Sequence, residues 1–260
     1  MKGILLAGGR GTRLFPVTKA VSKQMLPIYN KPLIYYPLAT LMLAGIREIL
    51  IITNPQDQAG FENLLGDGSN FGITLKYAIQ DNPRGIAESI IIAEEFTANG
   101  EFCLILGDNI FYGPGLGRDL MKHRNISGGT IFGYQVKNPN EYGIAVFDLD
   151  GDLVDLIEKP SKYVSNVAVT GLYFYDSSVV ELAKNLLPSE RGELEITDLN
   201  KKLLEMNNLS IQMLPRGTSW LDTGTFDGLH DASSFVRIME ERTGVLIGDP
   251  TEVARHQGWI

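Results

Sequence analysis

Cysteine is almost missing from this sequence: Cys103 stands alone among 260 residues. No intramolecular disulfide is possible. The apolar run EFCLIL around Cys103 marks it as a small buried hydrophobe rather than a nucleophile. A reducing, cytoplasmic setting is expected. No apolar run is long enough to cross a bilayer. The short apolar run at the N-terminus breaks at once into glycines and has no small-residue cleavage site, so no signal peptide is expected. Histidine is scarce. His123, His230 and His256 fall in segments expected to be helical and are assigned no role. Repeats, linkers and low-complexity stretches are absent, which points to one continuous unit. Acidic residues are absent from the start of the chain: Lys2, Arg10, Arg13, Lys19, Lys23, Lys31 and Arg47 all precede Glu48. The net charge of -8 disfavours a nucleic-acid surface. The basic stretch therefore reads either as a solvated face or as a site for a small polyanion such as a triphosphate.

Hydrophobic residues make up 44% of the chain and charged residues 21%, as in ordinary globular proteins. The first half alternates apolar runs with helical patterns. Strands are expected at Lys2–Ala7, Glu48–Thr53 and Glu101–Leu106, and helices at Pro32–Ala44, with Pro32 in the first turn, and Ile86–Phe96. Such alternation predicts an α/β fold with a parallel sheet. The second half reads as antiparallel or mixed strands at Thr130–Val136, Gly143–Leu149, Leu153–Ile157 and Val167–Tyr175. Helices are expected to follow at Ser178–Leu187, Ile196–Asn207, Thr225–Glu241 and Pro250–His256. The expectation is a single domain over residues 1–260. It has a nucleotide-binding half (about 1–115), a second half (about 116–240) that completes a cleft, and a short C-terminal segment (241–260).

Gly8-Gly9-Arg10-Gly11-Thr12-Arg13 directly follows the first strand. Glycines let the backbone come close to a ligand, and their amides can form an anion nest, although a tight strand-to-helix turn needs glycines too. A dinucleotide fingerprint is excluded because Leu14 stands where its third glycine belongs. A P-loop is excluded because Lys-Ser/Thr does not follow Gly11. What remains is a glycine loop with arginine, followed by Lys23: arginine grips phosphate bidentately and lysine brings a mobile point charge. Asp108 follows a buried strand and Gly107, at a strand's carboxyl end where open α/β sheets bind ligands. Asp222 lies in WLDTG. Each aspartate, taken alone, reads as a cap or turn former. Glu158-Lys159, taken alone, reads as a surface ion pair. Tyr142 and Trp220 read as core aromatics or as pocket walls.

The blocks LAGGRGTRLFPVT, SKQMLP, GDGSNFG, GDNIFYG, EYGIAVFD, LIEKP, VTGLYFYD, RGELEITD and WLDTGT resemble, in order, those of the sugar-phosphate nucleotidyltransferase family, and of its thymidylyl-transferring members in particular. The resemblance covers nearly the whole chain. It implies a Rossmann-like three-layer core with a mixed, mostly parallel sheet and a smaller β-rich sugar-binding portion. It implies magnesium-dependent thymidylyl transfer from dTTP to glucose 1-phosphate, by in-line attack without a covalent enzyme intermediate. Residue by residue, Arg13 and Lys23 resemble the catalytic cations. Leu6, Ala7, Gly8, Gly9, Gly11, Thr12, Gln24, Gln80, Pro83, Gly85 and Asp108 resemble the nucleotide-binding positions, with Gln80 and Gly85 reading the base. Asn109, Tyr142, Gly143, Glu158, Lys159, Val169, Tyr173, Arg191 and Trp220 resemble the sugar-phosphate site, and Asp108 and Asp222 the magnesium ligands. Arg10 departs from the small residue, and Glu88 from the glutamine, that many members carry. Members with a C-terminal helical extension past the GWI are tetramers with a regulatory nucleotide site; this sequence stops at Ile260, and a homo-oligomer, dimer or tetramer, is expected.

Three alternatives stay open on the sequence: uridylyl transfer from UTP to a hexose 1-phosphate, a metal-dependent glycosyltransferase, and a non-catalytic nucleotide-sugar sensor. No hexapeptide repeat follows the core, which disfavours the bifunctional N-acetylglucosamine type.

Overall fold

The computed structural model describes residues 1–9 and 11–260; Arg10 lies outside the described residues. The chain forms two compact units. The first holds Met1–Pro83, Ile105–Lys122 and Gly217–Ile260, and the second Arg84–Leu104 and His123–Arg216. Among the described residues, no helix is long and apolar enough to cross a membrane.

In the first unit, strands Lys2–Ala7, Glu48–Thr53 and Thr74–Ile79 are parallel neighbours. The register Ala7↔Thr53↔Ile79 ends all three strands at one level, the carboxyl end at which open α/β sheets bind ligands. The first two runs are apolar, and Ile4, Leu5, Ile49, Ile51 and Ile52 are fully buried, as expected for strands covered on both faces, whereas Thr74–Ile79 is largely exposed or half-buried. A second layer of core supports a short antiparallel ribbon of Asn109–Tyr112 with Ser219–Asp222. Ile110 on this ribbon packs with Ile28, Leu33, Tyr36, Ala232, Val236 and Ile247. Each such aliphatic burial contributes about 2 kcal/mol. Helix Phe226–Thr243 supplies Ala232 and Val236 to that core, and its N-terminus is capped by Thr225, whose hydroxyl accepts from the Gly228 amide.

In the second unit, strand Val167–Tyr175 pairs antiparallel with both Gly129–Gln135 and Gly143–Phe147. Leu153–Glu158 extends the antiparallel set, and Leu209–Met213 joins Gly129–Gln135 in parallel. Helix Ile196–Glu205 lays Ile196, Leu199 and Leu203 into the core.

Several expectations need correction. The helix expected at Pro32–Ala44 begins at Tyr35, because Lys31–Pro32 is held in a ladder with Pro27–Ile28; Pro32 is therefore not in its first turn. The helix expected at Ile86–Phe96 is two, Glu88–Ile92 and Glu94–Thr97, broken at Ala93. His123 lies in a turn after helix Leu116–Met121, its ring edge-on to Phe132 at 5.3 Å. Cys103 is fully buried, and burial holds its thiol well above the ordinary pKa, so it is inert.

Candidate active site

The glycine loop leaves strand Lys2–Ala7 with Gly9 at φ 102° and Gly11 at φ 56°, a region open to glycine and strained for other residues. The Asn54 side chain fixes it: Oδ1 accepts from the Gly9 amide at 3.3 Å and Nδ2 donates to the Gly9 carbonyl at 3.0 Å. The sequence reading missed Asn54. Its only signal was its place immediately after strand Glu48–Thr53. Thr18 clamps the far side by donating to the Gly11 carbonyl at 2.7 Å. A methyl group on Gly8 would stand 2.7 Å from Oε1 of the buried Gln80, so that glutamine lies directly against the loop. A polar cavity of about 270 Å³ opens between Gly9, Lys19, Ser22, Lys23 and Asn54.

Asp108 is built in from all sides. Gly107 donates its amide to the Leu6 carbonyl at 2.8 Å, and a Cβ there would crowd the same oxygen. The Asp108 carbonyl accepts from the amide (3.1 Å) and the hydroxyl (2.8 Å) of Thr223. Its carboxylate receives the Lys23 ammonium on Oδ2 and the Asn109 amide on Oδ1 at 2.9 Å. The orientation of Asn109 is dictated by Trp220, whose indole N–H can only donate and does so to Asn109 Oδ1 at 2.6 Å. Asn109 and Trp220, expected at the sugar phosphate, thus lie buried in the first unit beside Asp108.

The ribbon register Asp222↔Asn109 brings the second carboxylate to this cluster. Burial, and then the charge of Asp108, push the Asp222 carboxyl up to about 6, against the pull of Lys23, Arg13 and the Gly224 amide. Burial also opposes the charge of Asp108, but Lys23 and the hydrogen bonds outweigh it and hold that carboxyl below its ordinary value. Arg13 is exposed, and a Cβ on Gly224 would lie 2.6 Å from its guanidinium, so Gly224 leaves room for the arginine. Gln24 is buried next to Gly107, and Thr12 is exposed in a short turn.

Two mutually repelling, desolvated carboxylates suit a divalent cation. Magnesium takes one or two protein carboxylates and completes its shell with phosphate and water. Among the described residues, no set of three or more His, Cys, Asp or Glu is grouped for a metal.

The second unit gathers another set. Glu158 ends strand Leu153–Glu158 opposite Gly143. Its Oε2 accepts from the Thr197 hydroxyl at 2.7 Å, and Oε1 faces Arg191 and Lys159, each at 3.4 Å. Lys159 sits at φ 41°, uncommon for a residue with a side chain, and its amide donates to the Tyr142 carbonyl at 3.0 Å. Arg191 is anchored by Glu195 at 2.9 Å, which also accepts from Ser189 at 2.7 Å. Thr197 and Glu195 were not singled out individually in the sequence, although both lie in the block RGELEITD. Tyr173 is buried and stacked on Tyr175, while Val169 is half-buried across from Gly133.

The model of the nucleotidyl transferase family matches residues 2–238. A glucose-1-phosphate thymidylyltransferase from Mycolicibacterium smegmatis is 55% identical over 260 residues, covering all of this chain and 90% of that protein. Its counterpart from Neisseria gonorrhoeae is 54% identical over 261 residues, covering all of this chain and 91% of that one. A crystal structure from Bacillus anthracis assigned as a glucose-1-phosphate thymidylyltransferase, in complex with sucrose, superposes with a TM-score of 0.84 at 37% identity, covering 91% of this chain and 95% of that one. A UDP-glucose pyrophosphorylase complexed with UDP-glucose shares the fold, with a TM-score of 0.81 at 24% identity and coverage of 92% and 98%. With a family model spanning almost the whole chain and relatives more than half identical along all of it, this protein is an enzyme of the nucleotidyl transferase family, with that family's Rossmann-like α/β core.

Proposed function

We propose that the enzyme transfers the thymidylyl group of dTTP to α-D-glucose 1-phosphate, giving dTDP-glucose and pyrophosphate, with Mg²⁺ as the divalent ion, and that the two units work as one nucleotidyltransferase domain. The observation that carries this reading is the cluster of Lys23, Asp108, Asp222 and Arg13 beside a glycine loop: two cations and two half-buried carboxylates at strand ends.

A phosphate oxygen of the sugar phosphate forms a bond to the α-phosphorus as the bond from that phosphorus to the bridging oxygen of pyrophosphate breaks. Little covalent work falls to the protein, so positioning and charge neutralisation dominate. The Gly8–Gly11 backbone holds the polyphosphate. Lys23 leaves Asp108 to neutralise the α-phosphate as it becomes five-coordinate, and Arg13 holds the departing β- and γ-phosphates. Asp108 and Asp222 would hold the magnesium ion, which when bound neutralises and orients the phosphates. Gln80 and Gly85 read the base. Glu158 accepts sugar hydroxyl protons, while Lys159 and Arg191 grip the sugar phosphate; Tyr142, Gly143 and Val169 line the sugar.

The test is pyrophosphate release with Mg²⁺ and glucose 1-phosphate, comparing dTTP, UTP, CTP, ATP and GTP. Release that requires the sugar phosphate and is fastest with dTTP is the expected result. Fastest release with UTP would replace thymidylyl by uridylyl transfer, and no release with any triphosphate would reject the reading.

A further inference from the structure

Glu88 opens helix Glu88–Ile92 and is only 7% exposed, yet it does not reach outward. Its carboxylate folds back over the preceding segment. Oε2 accepts the Arg84 backbone amide at 3.2 Å, and Oε1 accepts Arg84 Nε at 2.8 Å and Nη2 at 2.6 Å. The Arg84 side chain itself lies largely in solvent. On the opposite side the same segment is zipped to Leu194. The Leu194 amide donates to the Arg84 carbonyl at 2.7 Å, and the Ala87 amide donates to the Leu194 carbonyl at 3.2 Å. Gly85 lies between these anchors at φ 102°, and a methyl group on it would overlap the Leu194 carbonyl. Residues 84–87 are thus pinned at both ends around a position that only glycine can take.

A carboxylate is an acceptor only, and this one already receives three N–H groups. We infer that Glu88, through Arg84, is a positioning residue for nucleobase selection: it sets the orientation of the Gly85 backbone rather than touching the base. This rests on the proposed reading of Gly85 as a base-binding position. Selection by hydrogen bonds to a base edge needs backbone groups held still, because a wrong base is rejected by leaving a fixed partner unpaired. Glutamine at 88 would lose the ionic bonds and place an NH₂ group, which cannot accept, against one of the donors.

The experiment is steady-state kinetics of wild type, Arg84→Gln, Glu88→Gln and the double variant. dCTP serves as the competitor that keeps sugar and triphosphate but changes the base edge. Each single variant should raise KM for dTTP roughly tenfold, and narrow the dTTP-over-dCTP preference in kcat/KM by a similar factor, the size of one misplaced hydrogen bond. KM for glucose 1-phosphate should move by no more than about twofold, and the double variant should match the single ones, because they break one shared clamp. An unchanged dTTP-over-dCTP ratio in both single variants overturns the inference. So does a parallel loss of kcat, both KM values and Tm, which would mark a merely structural role. Arg84→Gln alters a side chain in solvent and carries the test if Glu88→Gln does not fold. Wild-type enzyme without thymidylyl transfer would instead overturn the reading of the site itself, and this inference with it.

Discussion

Lys23 and Asp108, 85 residues apart in the chain, form an ion pair in which the ammonium sits on Oδ2 of the aspartate. The lysine thereby stands where a cation is demanded by two desolvated carboxylates, Asp108 and Asp222. In the proposed reaction, Asp108 and Asp222 would hold a divalent ion arriving with the substrate phosphates, and Lys23 would turn from Asp108 to the phosphate.

From this follows the behaviour of Lys23→Ala. Its kcat should fall roughly 100-fold or more, the scale on which a single group aimed at transition-state charge acts. The melting temperature should drop as well, because removing one partner of a largely buried pair leaves the carboxylates uncompensated, so kcat is compared at a temperature where the variant is folded. Turnover within about tenfold of wild type would remove Lys23 from its proposed role.

Asp222→Asn keeps shape and hydrogen-bonding reach but removes a ligand charge. The Mg²⁺ concentration for half-maximal rate should rise roughly tenfold or more. A magnesium titration of the initial rate decides this, and an unshifted curve rejects Asp222 as a ligand.

Thr197 donates to Glu158 Oε2 and so holds the carboxylate against the pull of Arg191 and Lys159 on the other oxygen. Thr197→Val should raise KM for glucose 1-phosphate about fivefold, the worth of one hydrogen bond, and leave KM for dTTP near its wild-type value. Equal changes in both constants would show that Thr197 supports the fold instead of the sugar site.

Away from the site, Lys31 and Glu240 form a buried pair at 2.8 Å, with side chains 7% and 6% exposed. Burial works to raise the Glu240 pKa, but Lys31, the Ile247 amide and Asn30 together lower it. A carboxyl whose pKa is lowered by folding stabilises the protein above its unfolded value and loses that contribution as pH falls through the folded value. Glu240→Gln should therefore cost about 3 kcal/mol at pH 7, because it leaves the Lys31 charge buried. The gap from wild type should shrink below the ordinary glutamate value of 4.5. Urea unfolding at neutral and acid pH measures both, and a gap independent of pH would refute the assignment.

Much of the fold was legible locally. Strands Lys2–Ala7, Glu48–Thr53 and Val167–Tyr175, and helix Pro250–His256, lie where composition placed them. Apolar β-branched runs bounded by turn formers, and an Asp249 cap ahead of Pro250, state their own structure. Thr74–Ile79 and Leu209–Met213 were not legible: both mix exposed and half-buried positions and become strands only because a neighbour offers a free edge. The four-residue Asn109–Tyr112 is stabilised by a partner far along the chain, Ser219–Asp222.

The sequence by itself determined the chemistry available: a glycine loop, an early stretch of cations without acids, and carboxylates at strand ends, all local facts of composition and order. Tertiary structure decided how these groups are held. Asn54 reaches back to Gly9, Trp220 orients Asn109 toward Asp108, Thr197 and Arg191 divide the two oxygens of Glu158, and Glu88 turns inward onto Arg84. Hydrogen bonds and charge pairs act over a few ångströms in space and have no fixed spacing in sequence, so only the folded chain could specify them.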